Sequence, residues 1–299
     1  MISRIRAKIN RTWFNFRCAG IFDTPPVKCD PGSDILIVSQ LHHPDMTMYM
    51  LAMKSFARFV RPQGFVVVDD GLLPDDRRIL SEHFDSIRFV PSKDVQLGSC
   101  PSGGCWERLR TLSEVNKDHY VVQLDADTLT LAEPTEVLEC IEQNRTFTLG
   151  TSSGTHFVGF DEASRFAHEH ACDHIQNRAE RALGEFPGKE NLKYVRGCAG
   201  FTGFAKQQLA SEKIEDFSTG MERLLGRERW CKWGTEQVTS NYMAANAPGA
   251  LVLPVDRYPF WEPGVDTDSA SLIHFFGLFR FNGGMYLRQA RRVVKQLAR

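Results

Sequence analysis

Short apolar runs alternate with amphipathic segments along the first half of the chain. Buried strands are predicted where a short apolar run is bounded by polar residues, and helices where apolar residues recur at helical spacing. The predicted strands span residues 34–39, 65–68, 87–90 and 120–124, and the predicted helices span residues 45–60, 74–84, 105–115 and 134–143. This alternation is typical of a mainly parallel sheet covered by helices.

The second half of the chain is less regular, with no internal repeat and no linker rich in Pro, Gly or Ser. We therefore predict one α/β domain with a mainly parallel, twisted, Rossmann-like sheet, helices on both faces and an elaborated second half. The domain is assigned to residues 34–285, between basic segments at 1–33 and 286–299. Its later elements are predicted as strands 147–150, 251–255 and 271–276, a Gly-rich segment at 195–204, and helices 161–183, 206–226 and 235–245.

The charge of the chain is unevenly distributed. The net charge is -1, yet residues 1–22 and residues 286–299 each carry five basic side chains and no acidic one. The remaining body has 26 basic and 37 acidic residues, which argues against nucleic-acid binding. The basic ends, with Ile5, Ile9, Trp13 and Phe16 at helical spacing, fit either solvated terminal helices or peripheral contact with an anionic membrane surface.

Composition and cysteine usage bound the class of protein. The 299 residues are 42% hydrophobic and 24% charged, which suits a sizeable core, and no apolar run approaches the ~20 residues that span a bilayer. The eight cysteines form no Cys-x-x-Cys pair, so zinc-ribbon and thioredoxin patterns are not supported and reduced thiols are expected. Because the first residues lack the apolar core and cleavage site of a signal peptide, we expect a cytoplasmic protein, with contact of its basic ends with the inner membrane surface as an open alternative to solvated ends.

Two carboxylates follow the predicted strand 120–124. Asp125 and Asp127 are separated by one residue, and in doubly wound sheets ligands gather at the carboxyl ends of the strands. Paired carboxylates offer oxygen ligands to Mn²⁺ or Mg²⁺. Taken alone, the same two residues are explained equally well as caps of the following turn.

Further motifs follow one another over most of residues 34–282. They are Arg108-Leu109 ahead of the strand that leads into Asp125-Ala-Asp127, Gly197-Cys-Ala-Gly200-Phe, Glu236-Gln237 with Asn241, and His274-Phe-Phe-Gly277. In this order, and with Gly197-Cys-Ala-Gly200-Phe in place of an Asn-Ser-Gly segment, they resemble the GT-A nucleotide-diphosphosugar glycosyltransferases, especially the glycogenin-like family eight group.

The resemblance implies a metal-dependent transfer of a sugar from a nucleotide-diphosphate sugar, with UDP favoured, to a hydroxyl of a glycan, lipid-linked saccharide or other acceptor. It implies that Asp125, Asp127 and His274 are the ligands of Mn²⁺ or Mg²⁺. Asp127 and Glu236 are the implied catalytic residues, with Glu236 as the base of an inverting reaction or a substrate contact in a retaining one. The implied substrate-binding residues are Ser39, Gln40, Leu41, Asp70, Arg108, Asp125, Gly200, Gln237, Gly277 and Arg280, the last as the diphosphate contact.

Departures from the family pattern leave alternatives open. Cys198 and Ala199 replace polar residues of the sugar-binding segment, so the donor sugar is undetermined and a non-catalytic relative that binds glycan or protein is a second hypothesis. A haloacid dehalogenase-type phosphatase also places Asp-x-Asp after a strand. His168, His170 and His174 lie on one predicted helix, where the last two could bind zinc, although no Glu occupies a metalloprotease position.

Overall fold

The structure, a computed structural model, describes residues 2–298, apart from the side chains of residues 2–8 and of Leu278. The described helices are α1 (Ile2–Cys18), α2 (Met46–Ala57), α3 (Pro74–His83), α4 (Trp106–Val115), α5 (Thr135–Glu142), α6 (Phe160–Glu169), α7 (Ile175–Ala182), α8 (Ser211–Leu225), α9 (Arg227–Trp230), α10 (Thr235–Ala245) and α11 (Met285–Leu297). The described strands are β1 (Ile35–Leu41), β2 (Gly64–Asp69), β3 (Ile87–Pro91), β4 (Tyr120–Leu124), β5 (Thr128–Thr130), β6 (Phe147–Leu149), β7 (Val158–Gly159), β8 (Lys193–Tyr194), β9 (Cys198–Phe204), β10 (Leu251–Leu253) and β11 (Leu272–His274).

The chain forms two compact units. Unit one comprises the described parts of Met1–Phe89, Leu124–Thr135 and Val255–Arg299, and unit two comprises Val90–Gln123 and Glu136–Pro254. Seven strands make up the main sheet, in the order β1-β2-β3 within unit one and β10-β6-β9-β4 within unit two. The predicted α/β fold, with a mainly parallel sheet flanked by helices, is confirmed.

Unit one is built on buried parallel strands. β1 and β2 pair in parallel with Leu41 opposite Asp69, and every residue of β2 is buried, as expected for a strand covered on both faces. Every residue of α2 is also buried. This includes the Lys54 ammonium, which donates hydrogen bonds to the carbonyl oxygens of Thr24 and Pro25 at 3.2 and 2.8 Å, so the buried cation is solvated by backbone.

Unit two combines parallel and antiparallel pairing around an aromatic core. β6 pairs in parallel with β10 and antiparallel with β9, where the register shifts between Thr148 and Leu149. The rings of Phe217 and Tyr242 stack with centroids 4.1 Å apart, and Trp230 donates its indole hydrogen to Ser218 Oγ at 2.9 Å. A buried aromatic cluster of this kind fixes α8 and α10 against each other.

The predicted helix over residues 161–183 is wrong as one element, because α6 ends at Glu169 and α7 begins at Ile175. The buried Asn177 amide donates to the carbonyl oxygens of Ala167 and His170 at 3.1 and 3.2 Å, and these bonds hold the break. His174 becomes the N-cap of α7, where its ring accepts from the Gln176 amide.

The break in the helix also removes the proposed histidine zinc site. Because His170 and His174 do not share a helix, they lose the spacing that would place them side by side. Over residues 2–298, the group Asp125, Asp127 and His274 is the one cluster found that could hold a metal.

β4 and α10 begin and end at the predicted residues. The helix predicted over residues 206–226 begins only at Ser211, and the short elements β5, β7, β8 and α9 were not predicted. No helix among the described residues is long and apolar enough to cross a membrane. The proposed boundaries at residues 33/34 and 285/286 stay predictions, and Met1 and Arg299 lie outside the described residues.

Candidate functional site

A tight turn after β4 carries the two aspartates, within unit one. Thr128 closes this turn by donating its backbone N–H and its hydroxyl to the carbonyl oxygen of Asp125, at 3.2 and 2.8 Å. Thr128 also begins β5, so the same residue fixes the turn and starts the next pairing. The Asp-Ala-Asp-Thr sequence therefore acts as one structural unit.

The β5–β11 pair brings His274 to the aspartates. His274 lies opposite Thr128 in this antiparallel pair, and the Phe275 N–H donates to the Asp127 carbonyl oxygen at 2.8 Å. His274 Nε2 is 3.1 Å from Asp127 Oδ1 and 4.0 Å from Asp125 Oδ2. The three predicted metal ligands thus come together, with one ligand atom from each lying within 4.8 Å of the others.

Arg280 completes the cluster. Its Nη2 donates to Asp127 Oδ2 at 2.5 Å, and its Nε donates to the Phe275 carbonyl oxygen at 3.0 Å. Burial would raise the pKa of Asp127, but His274 and Arg280 outweigh it and hold that pKa well below its usual range. Burial likewise opposes the charge of Arg280, yet Asp127 and Asp45 raise the pKa of its guanidinium. Both groups are therefore charged at neutral pH.

The donor set fits a divalent cation. Two carboxylates and one imidazole nitrogen are ligands that Mn²⁺ accepts, and the carboxylates also suit Mg²⁺. The imidazole packs against two aromatic rings, since the centroids of Phe260 and Phe276 lie 5.3 and 5.9 Å from that of His274. A ligand fixed in this way loses little side-chain freedom when an ion binds.

The residues expected at the ends of β1 and β2 differ in their exposure. Gln40 is half-buried and donates through Nε2 to Oδ2 of the exposed Asp70 at 3.1 Å. The Ser39 hydroxyl is buried and donates to the Leu124 carbonyl oxygen at 2.7 Å. Leu41 is buried, and its carbonyl oxygen accepts the Asp70 N–H. Gln40 and Asp70 therefore offer the side chains that a ligand can reach.

Two further predicted residues meet within unit two. Arg108 Nη2 lies 3.4 Å from Glu236 Oε1, and both side chains are buried. They come from the first turns of α4 and α10, which are also joined by the Trp106 indole N–H donating to Thr235 Oγ1 at 3.1 Å. The buried carboxylate of Glu236 is thus matched by a guanidinium.

Gln237 belongs to a chain of hydrogen bonds in unit two. Its Nε2 donates to Gln176 Oε1 at 2.9 Å, and Gln176 Nε2 donates to Glu180 Oε1 at 3.0 Å. Glu180 also accepts the Tyr194 hydroxyl at 3.2 Å and pairs with Arg196. Burial raises the pKa of Glu180 to about 7, against the lowering effect of Arg196. The chain fixes the Gln237 amide with its NH₂ group turned toward Gln176.

Two glycines of the motifs are required for different reasons: Gly197 by close packing and Gly277 by its backbone conformation. A Cβ on Gly197 would lie 2.5 Å from the Leu149 carbonyl oxygen, and Asn241 Nδ2 donates to the Gly197 carbonyl oxygen at 3.0 Å. Gly200 is buried in β9. Gly277 is exposed, with φ +59° and open space where a Cβ would lie, and this backbone conformation favours glycine.

Several polar groups of these clusters were not predicted from the sequence. Gln176 and Glu180 are four residues apart on α7 and both buried, so polar residues at i and i+4 on an apolar helix face were the available signal. Asp45 reads as a helix start after β1. In the structure its carboxylate lies 3.3 Å from His42 Nδ1 and 3.7 Å from Arg11 Nη1, and burial raises its pKa.

Comparison with known proteins identifies the fold. No protein-family profile and no curated protein matches the chain. The galactosyltransferase LgtC, solved with donor and acceptor sugar analogues, is 10% identical over 88% of this chain and 96% of its own, with a TM-score of 0.50. An active-site mutant of LgtC is 11% identical over 87% and 95% of the two chains, with a TM-score of 0.50.

The bifunctional glycosyltransferase WbbM, in its apo form, is 12% identical over 88% of this chain, with a TM-score of 0.46. The match covers 52% of WbbM, so this chain spans about half the length of that protein. At these identities the comparisons establish the fold alone. The chain has the GT-A glycosyltransferase fold, and its placement in the glycogenin-like family eight group stays a prediction.

Proposed function

We propose that the protein is a metal-dependent glycosyltransferase that moves a sugar from a nucleotide-diphosphate sugar to an acceptor hydroxyl. The observation that carries this proposal is the cluster of Asp125, Asp127 and His274 beside Arg280 on a GT-A fold. The cluster combines cation ligands with a fixed guanidinium, which together match a metal-bound diphosphate.

In this proposal Asp125, Asp127 and His274 hold Mn²⁺ or Mg²⁺. When bound, the divalent ion would neutralise the negative charge that develops on the leaving diphosphate. Arg280 donates N–H groups to phosphate oxygens, and its bond to the Phe275 carbonyl oxygen keeps its guanidinium oriented before the donor arrives. Asp127 stays ionised because His274 and Arg280 face it.

Gln40 and Asp70 are proposed to bind the nucleobase and ribose, with the backbone of Ser39 and Leu41 forming the wall of that pocket. Their hydrogen bond to each other at 3.1 Å presents an amide and a carboxylate side by side, which suits a uracil edge and a ribose hydroxyl. UDP is the proposed nucleotide, on the basis of the resemblance to the GT-A glycosyltransferases. Gly277, with its left-handed backbone, allows the chain to approach the diphosphate closely.

Unit two supplies the proposed sugar and acceptor contacts. In an inverting reaction the Glu236 carboxylate accepts the proton of the acceptor hydroxyl, and the Arg108 guanidinium lies beside that carboxylate, with Nη2 3.4 Å from Oε1. In a retaining reaction Glu236 and Gln237 bind the sugar instead. Gly200 permits close approach of the donor sugar, and Arg108 also contacts the nucleotide. The proposed sugar is a hexose and the proposed acceptor a glycan or lipid-linked saccharide.

The experiment that tests the proposal measures nucleoside diphosphate release from a panel of nucleotide sugars. Release is expected with Mn²⁺, lost on chelation, and lost in Asp127→Asn. The exposed Asp268 supplies the matched control, since Asp268→Asn removes an acid of the same unit away from the cluster. Metal-dependent hydrolysis of a phosphomonoester without sugar transfer would instead favour the phosphatase, and binding of glycan without turnover would favour the non-catalytic relative.

A further inference from the structure

Helix α1 has two apolar faces. Phe14 and Cys18 are buried on one side. On the opposite side Ile9, Trp13 and Phe16, spaced four and three residues apart, are 62%, 54% and 72% exposed. A helix that packs through one apolar face and leaves a second in water carries a surface in need of a partner.

Helix α11 presents a row of cations. Tyr286, Ala290 and Val293 form its buried face, and helical spacing places the basic residues on the opposite side. They line a shallow concavity of about 420 Å³ together with Gly284 and Leu287. These exposed residues, none of which forms an ion pair within the described part of the chain, are Arg288, Arg291, Arg292 and Lys295.

The two helices belong to the same part of unit one. The ring of Phe14 on α1 packs against that of Tyr286 on α11, with centroids 4.4 Å apart. Neither helix contains an acidic residue. The Arg17 guanidinium lies 5.3 Å from the centre of the Trp13 ring, so a cation also borders the apolar side of α1. Together the exposed faces of α1 and α11 form what we call the terminal-helix surface.

We propose that the terminal-helix surface docks on a bilayer that contains anionic phospholipid. Amphipathic helices bind such bilayers by placing aromatic and aliphatic side chains at the boundary between headgroups and acyl chains. Arginine and lysine beside them bind the lipid phosphates and respond to the negative surface potential. The exposed stripe of α1 and the cations of α11 supply both contributions.

The charges on these helices favour a membrane over a second copy of the chain. A two-fold contact places the same patch on both sides, so two acid-free, basic surfaces would face each other. Like charges already repel each other at the terminal-helix surface, because burial and then the charge of Arg292 lower the pKa of the Arg58 guanidinium, just after α2. An anionic lipid surface relieves this repulsion, whereas self-association increases it.

The test is co-sedimentation of the full chain with vesicles of phosphatidylcholine alone or with 30% phosphatidylglycerol added (about one lipid in three anionic, to give a strong surface potential). One variant is Trp13→Ser with Phe16→Ser, and a second is Arg291→Glu with Arg292→Glu. Matched controls in unit two are Trp233→Ser, which removes a ring that is 71% exposed, and Arg229→Glu with Lys232→Glu, which reverses two exposed cations.

We expect the wild type to sediment with the anionic vesicles and not with the neutral ones, and to be released by high salt. Each terminal-helix variant is expected to lower the partition coefficient at least about tenfold, while the controls bind as the wild type does. Wild-type protein that stays in the supernatant at low salt overturns the proposal, as do variants that bind undiminished. Self-association in solution that Trp13→Ser and Phe16→Ser abolish, without vesicle binding, assigns the surface to a second copy. Sugar transfer is not needed for any of these readouts.

Discussion

Each carboxylate oxygen of Asp127 contacts a different nitrogen. Oδ1 faces His274 Nε2 at 3.1 Å, and Oδ2 accepts from Arg280 at 2.5 Å. Arg280 is therefore oriented by the protein, and the same guanidinium is the group available to a phosphate. Planar guanidinium groups hold phosphate with two parallel hydrogen bonds, which an ammonium cannot reproduce.

Substitution of Arg280 is expected to weaken nucleoside diphosphate binding in the presence of Mn²⁺. Arg280→Gln should raise the dissociation constant about ten- to hundredfold, the range for a lost charge-assisted hydrogen bond. The dissociation constant of Arg280→Lys should lie between that of Arg280→Gln and that of the wild type. Calorimetric titration measures both. Arg78→Gln is the control, because Arg78 pairs with Glu82 on an exposed face of α3. If Arg280→Gln bound the nucleoside diphosphate as tightly as the wild type does, Arg280 would not be a diphosphate contact.

Glu180 makes the stability of the protein depend on pH. Burial raises its pKa from 4.5 to about 7, so the folded state binds its proton more tightly than the unfolded state does. Its stabilising contribution is therefore complete below about pH 4.5 and is lost as the pH rises through about 7.

Comparison with Glu180→Gln isolates this effect. The free energy of unfolding of the wild type, relative to the variant, should fall by about 2–3 kcal/mol between pH 4.5 and 7.5. Urea denaturation at several pH values measures the difference. Glu185→Gln changes an exposed carboxylate nearby and should leave the pH profile unaltered. A relative stability of Glu180→Gln that does not vary with pH would contradict the assignment.

At the scale of elements, the start of α10 depends on the backbone of one glycine. Gly234 is the N-cap of this helix, with φ +105°, and a Cβ there would lie 3.2 Å from Ile175 Cγ2. Glu236 and Gln237 follow Gly234 by two and three residues, so the angle at which the helix begins sets where both side chains lie.

Gly234→Ala is expected to destabilise the protein by about 1–2 kcal/mol more than Gly159→Ala does. Gly159 is the N-cap of α6, with φ −67° and no atom near a Cβ. Both substitutions replace an N-cap glycine, so both lose the same capping contribution. The difference between their free energies of unfolding therefore measures the backbone strain at residue 234. Thermal or urea unfolding of the two variants measures it. Equal losses would show that Gly234 has no special role.

The elements that the sequence predicts most accurately are those whose residues are buried in a simple pattern. β4 and α10 are examples: all five residues of β4 are buried and four of them are apolar, and α10 is bounded by Gly234 and Asn246, residue types that favour helix ends. The break between α6 and α7 was missed, since it is stabilised by Asn177 bonds to Ala167 and His170, and these depend on tertiary packing.

The candidate site divides in the same way. Asp125 and Asp127 are predictable from a strand followed by acids, whereas His274 is far along the chain and was found through the resemblance. The contact between Arg280 and Asp127 requires the β5–β11 pairing. Gln237 on α10 is hydrogen-bonded to Gln176 on α7, which in turn is bonded to Glu180. Residue spacing within one helix cannot predict this contact between two helices.

At the scale of the whole molecule, no disulfide stabilises the described part of the chain, which includes all eight cysteines. Cys18, Cys100 and Cys140 are buried, and Cys172 and Cys231 are exposed. Burial raises the pKa of Cys18 to about 12 and that of Cys100 to about 11. Such thiols are protonated and shielded, and therefore slow to react.

Thiol labelling of the native protein is expected to modify Cys172 and Cys231 first. Their replacement by Ser should remove the fast phase of labelling, and the buried cysteines should react only on unfolding. Peptide mass mapping over time gives the order. The melting temperature should be unchanged by reductant. Early labelling of Cys18 or Cys140 would contradict the packing of their units.

Each unit carries its own group of candidate site residues. Unit one holds the metal ligands and Arg280, and unit two holds the Arg108–Glu236 pair and the hydrogen-bond chain of Gln237. The central claim concerns unit one, because metal-dependent nucleotide binding distinguishes a glycosyltransferase site from a structural cluster of charges.

Calorimetric titration of UDP into wild type, Asp127→Asn and Asp268→Asn, with Mn²⁺ and with chelator, decides whether unit one binds nucleotide through a metal. We expect Mn²⁺-dependent binding to the wild type and to Asp268→Asn, and an affinity at least about a hundredfold lower in Asp127→Asn. Circular dichroism confirms that each variant is folded. Absence of nucleoside diphosphate binding to folded wild-type protein, or binding indifferent to Mn²⁺ and to Asp127→Asn, would contradict this expectation.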